Sequence, residues 1–413
     1  MALIRPFPAV RPRREYAENV ISLPYDVMNR AEAAQMALEN PYSFLHICRS
    51  EIDLPDVDDP YSDRVYQKAK SNISDFLEKG ILFRDPKPML YIYAQVMEGR
   101  IQTGLVACAS IDDYLNNVIK KHEYTRHEKE LDRIRHFDVC NANTEPVFLT
   151  YRDVPEIRAV VNSWISRHNP EYDILTADGI QHIMWVVDED ETITKLTALF
   201  ENVGALYIAD GHHRTASAVK VGLKRRDQNP GYDGKEEFNY FMAVIFPDKD
   251  LRIFDYNRVV KDLNGLTAES FLETIAASFS VTEITEGPCK PTDKHIFGMY
   301  LDRKWYRLEV QADKIDESDA ISSLDVSLLQ DLLLGPVLGI QDPRKDKRID
   351  FIGGIRGLKE LEKRVNTDMA VAFALYPVSI ADLMAVSDYD QVMPPKSTWF
   401  EPKLGSGLFI HEL

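Results

Sequence analysis

Apolar residues recur along the chain at spacings typical of helices and strands. Residues 59–79 carry them at the 3.6-residue period, which predicts an amphipathic helix that ends before Gly80. Residues 29–39 form a second predicted helix, because Asn29 can cap its start. Residues 154–168 predict another amphipathic helix, and the polar stretch 124–140 is also expected to be helical.

Strand patterns follow the first helices. Residues 89–96 and 101–109 predict two strands joined by a hairpin turn at residues 98–100. Further strands and helices then alternate. The strands are predicted at 183–187, 205–209, 238–246, 281–284, 295–301, 305–310 and 370–375, and the helices at 191–202, 213–223, 326–334 and 380–386, with one more after residue 266. This alternation predicts a mixed α/β fold, with a soft boundary between residues 255 and 262.

The charge of the chain limits its partners. Its formal net charge is −17, so the mean field would repel a nucleic acid duplex. The two short basic clusters, residues 11–14 and 344–348, are expected to be solvated surface. No apolar run is long enough for a membrane span, and the N-terminus lacks the basic-then-apolar pattern of a signal peptide. We therefore expect a cytoplasmic protein that contacts neither DNA nor a membrane.

The four cysteines, at positions 48, 108, 140 and 289, lie far apart in the sequence and form no C-x-x-C pair. This spacing argues against a disulfide framework and against a zinc cluster, and it fits reduced thiols. Cys48 and Cys108 have apolar neighbours, so we expect both in the core.

The segment 204–218 holds the strongest candidate for a binding site. Its apolar run ends at Asp210, Gly211 permits a sharp turn, and a helix rich in small residues follows. A helix N-terminus presents unpaired N–H groups and partial positive charge, and residues 212–214 add two histidines and an arginine there. Cations at this end oppose the helix dipole unless an anion neutralises them. The segment therefore predicts a bound phosphate or carboxylate.

Plainer interpretations of this segment stay open. His212 and His213 could be ordinary surface histidines, with Asp210 acting only as a helix cap. The two histidines could also bind a metal ion, but the nearby sequence offers no third ligand at a suitable spacing. The chain has no G-x-x-x-x-G-K-[ST] and no G-x-G-x-x-G sequence, which argues against a P-loop or a Rossmann dinucleotide site.

A charge-dense run occupies residues 126–135. We expect a solvated helix with ion pairs three residues apart, Glu130 with Arg133 and Asp132 with Arg135.

The sequence Asp-Gly-His-His-Arg at residues 210–214 resembles the motif of the ParB/sulfiredoxin-like superfamily, especially the form carried by its free serine kinases. The chain as a whole resembles a bacterial and archaeal family of similar length and unknown function. The stretches that carry this resemblance are Leu23-Pro24-Tyr25-Asp26-Val27, Lys121-His122-Glu123-Tyr124-Thr125, residues 209–218, Asn257-Arg258 and residues 393–400. The resemblance implies a ParB/sulfiredoxin-like nucleotide-binding core with insertions in residues 1–255. It also implies an additional α/β region in residues 256–413, whose loop 393–407 contributes to the site.

The resemblance to the serine kinases implies phosphorylation of free L-serine to O-phosphoserine by ATP or ADP with magnesium. Asp210 would bind magnesium or orient the phosphates. Donors from the motif and from the later loop would hold the phosphate oxygens: Gly211, His212, His213, Arg214, Thr215, Lys396, Ser397 and Thr398. Alternatively, residues 393–400 form a surface loop that binds no ligand. The loop 403–407 is a second, weaker candidate for binding phosphate.

Two carboxylates compete for the role of catalytic base. The serine kinases carry a glutamate in a His-Glu context upstream of the motif, so Glu123 leads. Asp26 could instead be the base or hold magnesium, or it could simply form a turn ahead of a helix.

Two other functions fit the same resemblance. One is a ParB-like nucleotide-binding protein without kinase activity, associated with DNA or regulatory, although the net charge of −17 argues against duplex binding. The other is a module that senses a nucleotide without turnover.

Overall fold

The computed structural model of the protein describes residues 1–413 and confirms the mixed α/β fold. The helices are α1 (Ala17–Val20), α2 (Arg30–Ala37), α3 (Leu45–Cys48), α4 (Asp63–Glu78), α5 (Ile111–Leu115), α6 (His127–Cys140), α7 (Pro155–Arg167), α8 (Asp190–Phe200), α9 (His212–Gln228), α10 (Ala268–Ile275), α11 (Asp325–Leu329), α12 (Leu358–Thr367) and α13 (Ile380–Asp388). The strands are β1 (Ile4–Arg5), β2 (Val10–Pro12), β3 (Leu82–Arg84), β4 (Leu90–Met97), β5 (Arg100–Ser110), β6 (Ile119–Lys120), β7 (Ala142–Asn143), β8 (Val147–Tyr151), β9 (Tyr172–Leu175), β10 (Gln181–Val187), β11 (Leu206–Asp210), β12 (Tyr240–Pro247), β13 (Ile253–Phe254), β14 (Tyr256–Val260), β15 (Phe279–Ile284), β16 (Ile296–Leu301), β17 (Lys304–Val310), β18 (Ile349–Gly353), β19 (Val371–Ala374), β20 (Trp399–Phe400) and β21 (His411–Glu412).

The chain forms two compact units. Residues 1–251 and 402–413 make the first unit, and residues 252–401 make the second. The sequence predicts two functional regions that meet between residues 255 and 256. That division and the roles of the two regions stay predictions. The return of the C-terminal residues to the first unit is a tertiary feature that local sequence patterns do not reveal.

A nine-stranded sheet organises the first unit. The strand order is β6-β11-β8-β12-β5-β4-β10-β9, and β1 pairs with β5 outside this path. β11 is parallel to β6 and β8 is parallel to β12, whereas the other neighbours are antiparallel. β4 and β5 form the predicted hairpin, in which Glu98 and Gly99 have φ angles of 52° and 77°. A two-residue turn of this kind requires positive φ at both positions.

Alternating side chains of this sheet pack with helices in one buried cluster. Leu90, Ile92 and Ala94 alternate along β4 and join Trp164 of α7 and Phe200 of α8. Complete burial of a large apolar side chain contributes about 1.5–3 kcal/mol. The regular spacing of apolar residues along the strands and helices therefore explains the buried core of the first unit.

Helix α6 carries its charges into the interior, whereas the sequence analysis expected a solvated helix. Glu130, Asp132 and Arg133 are each less than a tenth exposed. Asp132 pairs with Arg133 beside it and accepts from the Tyr66 hydroxyl at 2.9 Å, and Glu130 pairs with Lys220 of α9. The expected ion pairs within α6 are therefore wrong, because α4 and α9 supply partners that sequence spacing does not show.

The two basic clusters differ from each other. Arg11 is buried, and its guanidinium bonds Asp85 at 2.8 Å and Glu171 at 3.0 Å, so the expectation of solvated surface is wrong for this residue. Arg344 and Arg348 pair with aspartates of their own loop and stay at the surface.

The second unit is built on a six-stranded antiparallel sheet with the order β15-β17-β16-β19-β14-β18. All five residues of the inner strand β14 are buried, and α12 packs Leu361 into the cluster on this sheet. β14, β18 and α12 were not predicted from the sequence, and β14 lies where the soft boundary was placed.

All four cysteines are unpaired and buried, which confirms the expected core position of Cys48 and Cys108. No helix of the protein combines the length and the apolar character needed to cross a membrane.

Candidate functional site

Strand β11 and helix α9 meet at the segment that the sequence analysis singled out. Residues 206–209 are buried because β11 lies between β6 and β8 in the sheet. The register with β8 shifts between Ile208 and Asp210, and such an irregularity re-aims the side chain that ends the strand. Gly211 follows with a φ angle of 92° and starts α9. The expected strand-turn-helix is therefore confirmed.

No side chain caps the N-terminus of α9. The residue at the cap position, Gly211, has no side chain to offer the N–H groups of the first turn. Thr215 is fully buried and directs its hydroxyl to the carbonyl of Gly211 at 3.1 Å. The hydroxyl that was expected to contact phosphate is thus used by the helix backbone, while the first-turn N–H groups lack a side-chain acceptor.

Arg214 folds its guanidinium over Gly211. Its side chain is buried, Nη1 donates to the Pro146 carbonyl at 2.5 Å, and Nε is buried without a hydrogen-bond partner. A Cβ atom on Gly211 would lie 3.1 Å from this Nε, so glycine is what allows the close approach. Burial alone would lower the pKa of Arg214, but the negative charges of Asp26 and Asp210 raise it. A buried cation with an unused donor beside an uncapped helix start favours a bound anion.

His212 and His213 accept hydrogen bonds through Nε2. His212 accepts from the N–H of His122 at 3.4 Å, and His213 accepts from the N–H of Arg126 at 2.9 Å. Burial lowers the pKa of both rings, so they are neutral near pH 7 rather than the cations that the sequence pattern suggested. Neutral rings do not oppose the helix dipole. They fasten the loop that carries Glu123 to the start of α9.

Asp26 approaches the same helix end from the N-terminal part of the chain. It is exposed in the turn before α2. Its negative charge raises the pKa of Arg214 and counteracts the lowering of the pKa of His213 by burial. The structure therefore brings the segments of Asp26, Glu123 and Asp210 together at one helix start, although their chemical roles stay predictions.

Lys403 is the ionic partner of Asp210. Its Nζ lies 3.0 Å from Oδ2 of Asp210, whose Oδ1 accepts from the N–H of Gly211 at 2.8 Å. Burial alone would raise the pKa of Asp210, but the charges of Lys403 and Arg214 outweigh it and hold the pKa well below its ordinary value. The Gln95 side chain fixes the lysine backbone by donating to the Lys403 carbonyl at 2.8 Å. Asp210 is therefore a permanent anion at neutral pH.

Glu145 ties the parts of this site together, and the sequence analysis missed it. Its carboxylate is buried, and Oε1 accepts from the N–H of Tyr25 at 3.1 Å and from the Ser406 hydroxyl at 2.9 Å. Its Oε2 lies 3.6 Å from Nη1 of Arg133. Burial raises its pKa. One carboxylate thus holds both the N-terminal turn and the C-terminal loop in place.

Lys396, Ser397 and Thr398 belong to the second unit. Nζ of Lys396 lies 5.5 Å from the centre of the Tyr256 ring, and the Ser397 hydroxyl donates to the Pro394 carbonyl at 2.5 Å. The expected part of these residues in the phosphate site stays a prediction.

Asp210, Gly211, Arg214 and Lys403 form a site at the start of α9, called the α9 site from here on. Its chemistry suits an anion with several oxygens. Arg214, Lys403 and the first-turn N–H groups are all donors. No group of three or more His, Cys, Asp or Glu side chains in the protein is arranged to hold a metal ion. The residues fit a magnesium ion only if Asp210 supplies one oxygen and phosphates and water supply the others, which is how Mg²⁺ is commonly bound.

Comparisons with known proteins give one family and several distant structures. The family model described as "Protein of unknown function (DUF1015)" matches residues 4–327. No curated protein matches the chain significantly. Among solved structures, a free serine kinase in complex with AMP aligns with a TM-score of 0.35 and 14% identity over 71% of this chain and 86% of that chain.

Two further structures are similar at the same level. A conserved hypothetical protein from Pyrococcus furiosus aligns with a TM-score of 0.35 and 14% identity over 74% of this chain and 94% of that chain. SbnI with a C-terminal truncation, from Staphylococcus aureus, aligns with a TM-score of 0.41 and 10% identity over 74% of this chain and 86% of that chain. Likeness at these scores carries no argument about activity.

Proposed function

We propose that this chain, which belongs to the DUF1015 family, is a phosphotransferase that converts free L-serine to O-phosphoserine with ATP or ADP and magnesium. The observation that carries the proposal is the start of α9. There an uncapped helix N-terminus, the unused Nε of buried Arg214 and the ammonium of Lys403 gather hydrogen-bond donors. The choice of serine rests on the resemblance of residues 210–214 to the free serine kinases.

Phosphoryl transfer depends mainly on positioning and on neutralising the charge of the phosphates. Arg214 supplies a fixed positive charge that its buried position prevents from swinging into water. Lys403 supplies a second charge, and Asp210 orients that lysine as well as the N–H of Gly211. Magnesium, when bound with the nucleotide, would neutralise further phosphate charge, with Asp210 as its protein ligand.

A carboxylate must also orient the serine hydroxyl and take its proton. Glu123 is the proposed base, because its loop is fastened to α9 through the backbone bonds to His212 and His213. Asp26 is the alternative, because Glu145 holds its turn through the N–H of Tyr25. Each carboxylate is therefore carried by a segment that hydrogen bonds hold in place.

The direct test is to incubate the purified full chain with labelled ATP or ADP, magnesium and a panel of free amino acids, and to look for phosphoserine by mass spectrometry. Arg214→Met should weaken nucleotide binding, because it removes the fixed charge at the helix start. Arg225→Met, at the far end of the same helix, is the matched control and should bind nucleotide normally. Asp210→Asn should lose most turnover, because a neutral amide orients Lys403 and magnesium poorly.

The two candidate bases are separated by a paired comparison. Glu123→Gln should keep nucleotide binding and slow transfer by about 10²–10⁴-fold if it is a typical general base. Normal turnover of Glu123→Gln with an inactive Asp26→Asn would transfer the role to Asp26. If neither ATP nor ADP yields phosphoserine, the kinase proposal is wrong, and nucleotide binding without turnover becomes the better account.

A further inference from the structure

A cavity of about 280 Å³ opens in the first unit next to the turn of Asp26. Its walls come from Tyr25, residues 28–30 and 48–51, four residues at and near the start of α4 (Pro60, Tyr61, Val65 and Tyr66) and four residues of α6 (Lys129, Asp132, Arg133 and His136). Tyr25 borders the cavity and directly precedes Asp26, so the cavity adjoins the segment that reaches the α9 site. A small molecule of a few non-hydrogen atoms would fit in this volume together with water.

The cavity is lined by charges of both signs, with cations in excess. The cations are Arg30, Arg49, Lys129 and Arg133, and the carboxylates are Glu51 and Asp132. This excess occurs in a chain whose net charge is −17. His136, which also lines the cavity, is neutral because burial lowers its pKa to about 3. A ligand with a negative group is therefore favoured over a neutral one.

The charged groups are built into the wall rather than left on the surface. Glu51, Asp132 and Arg133 are each less than a tenth exposed. Arg49 is held from two sides, with Nε 2.7 Å from Oε1 of Glu51 and Nη1 donating to the Tyr25 carbonyl at 3.1 Å. Burying charges is costly compared with a packed apolar core, so such a cluster beside a cavity is typical of a binding site.

Lys129 is the cation of this set that remains exposed. Its Nζ contacts the Tyr61 hydroxyl at 3.3 Å. It can be replaced without disturbing the buried network, which makes it the natural position for a test.

We propose that this cavity receives the phosphoryl acceptor, and that the acceptor is a small zwitterionic amino acid with a hydroxyl group. This inference rests on the proposed function. The α-carboxylate is attracted by Lys129 and Arg49, and the α-ammonium by Glu51 and Asp132. The hydroxyl points past Tyr25 toward the α9 site.

The transfer that follows is balanced within these groups. The hydroxyl oxygen forms the new O–P bond as the bond from phosphorus to the leaving oxygen of the nucleotide breaks. The hydroxyl proton passes to Glu123 or Asp26, and the nucleotide departs with one phosphoryl group fewer. Glycerol lacks both charges and glycerate lacks the ammonium, so these two compounds measure what each charge contributes.

Calorimetric titration of the full chain tests the site, with and without AMP and magnesium. L-Serine and L-alanine should bind, glycerate should bind more weakly and glycerol should not bind. Lys129→Met should weaken L-serine binding about tenfold, because it removes one attracting charge. Lys79→Met, an exposed lysine at the end of α4 outside the cavity, is the matched control and should change nothing. No binding of L-serine in either condition, or equal binding by Lys129→Met, Arg49→Met and wild type, would overturn the assignment.

The kinase assay separates this inference from the proposed function. In Lys129→Met the KM for serine should rise about tenfold, while the KM for nucleotide stays the same. If serine binds with the expected dependence on Lys129 but no phosphoserine forms, the cavity stands as an amino acid site and the kinase proposal fails. If phosphoserine forms with an unchanged KM for serine, the kinase stands and the cavity assignment fails.

Discussion

Replacing Gly211 with alanine should strain the backbone and displace the guanidinium of Arg214. The φ angle of 92° lies in the left-handed region, where an L-residue with a Cβ costs about 1–2 kcal/mol. The new Cβ would also lie 3.1 Å from Nε, 3.3 Å from Cζ and 3.4 Å from Nη2 of Arg214. The guanidinium is buried and bonded to the Pro146 carbonyl, so it has little room to retreat.

The two effects add to a loss in the free energy of unfolding of about 2–5 kcal/mol. The backbone term supplies about 1–2 kcal/mol, and a weakened charged hydrogen bond supplies about 1–3 kcal/mol more. Gly99→Ala is a matched control, because Gly99 has a φ angle of 77° but a Cβ there would meet nothing within 4 Å. The control carries the backbone term alone and should lose only about 1–2 kcal/mol.

Urea unfolding of wild type and both variants measures the difference, and ADP titration measures the consequence for the site. Gly211→Ala should be the less stable variant and should bind ADP more weakly than Gly99→Ala. Equal losses of stability would mean that the contact with Arg214 costs nothing, and they would refute the argument that glycine is needed for the close approach of the guanidinium.

Three further predictions follow from buried charges. Glu145→Ala should cost about 1–3 kcal/mol in urea unfolding, because the N–H of Tyr25 and the hydroxyl of Ser406 lose their buried acceptor; an unchanged free energy of unfolding would contradict the central role of this group. Burial of Asp325 raises its pKa to about 6. Between about pH 4 and pH 6 the folded protein therefore holds a proton on Asp325 that the unfolded chain has lost, and the free energy of unfolding falls as pH rises through that range. Asp325→Asn should therefore be more stable than wild type by up to about 3 kcal/mol at pH 7 and equally stable at pH 4, and the same difference at both pH values would count against this reasoning. Lys403→Met should raise the pKa of Asp210, because burial persists while an opposing charge is lost; carboxyl NMR titration measures the change, and an unchanged pKa would rule out the ion pair.

The neutral histidines change how the motif is understood. A run of His-His-Arg at a helix start suggests three cations, yet His212 and His213 accept backbone N–H groups and only Arg214 is charged. The motif therefore combines one fixed charge with two anchors for a neighbouring loop. In this chain the two histidines position the loop of residues 122–126.

Local sequence was sufficient for features whose cause lies within a few residues. The 3.6-residue period predicted α4 and α7. The turn residues 98–100 predicted the β4–β5 hairpin, and Gly211 predicted the turn from β11 to α9. Each depends on side-chain period or on the φ angles that a residue tolerates, and both can be seen in a short window of sequence.

Tertiary structure alone decided which charges are buried and which residues complete the site. Spacing along α6 suggested solvated ion pairs, but α4 and α9 enclose that face, and Asp132 and Glu130 find partners there. Lys403 reaches Asp210 because the C-terminal residues return to the first unit. The pairing energy of a buried charge depends on groups brought close by the fold, and no period or composition within a segment encodes the distance to a residue far away in the chain.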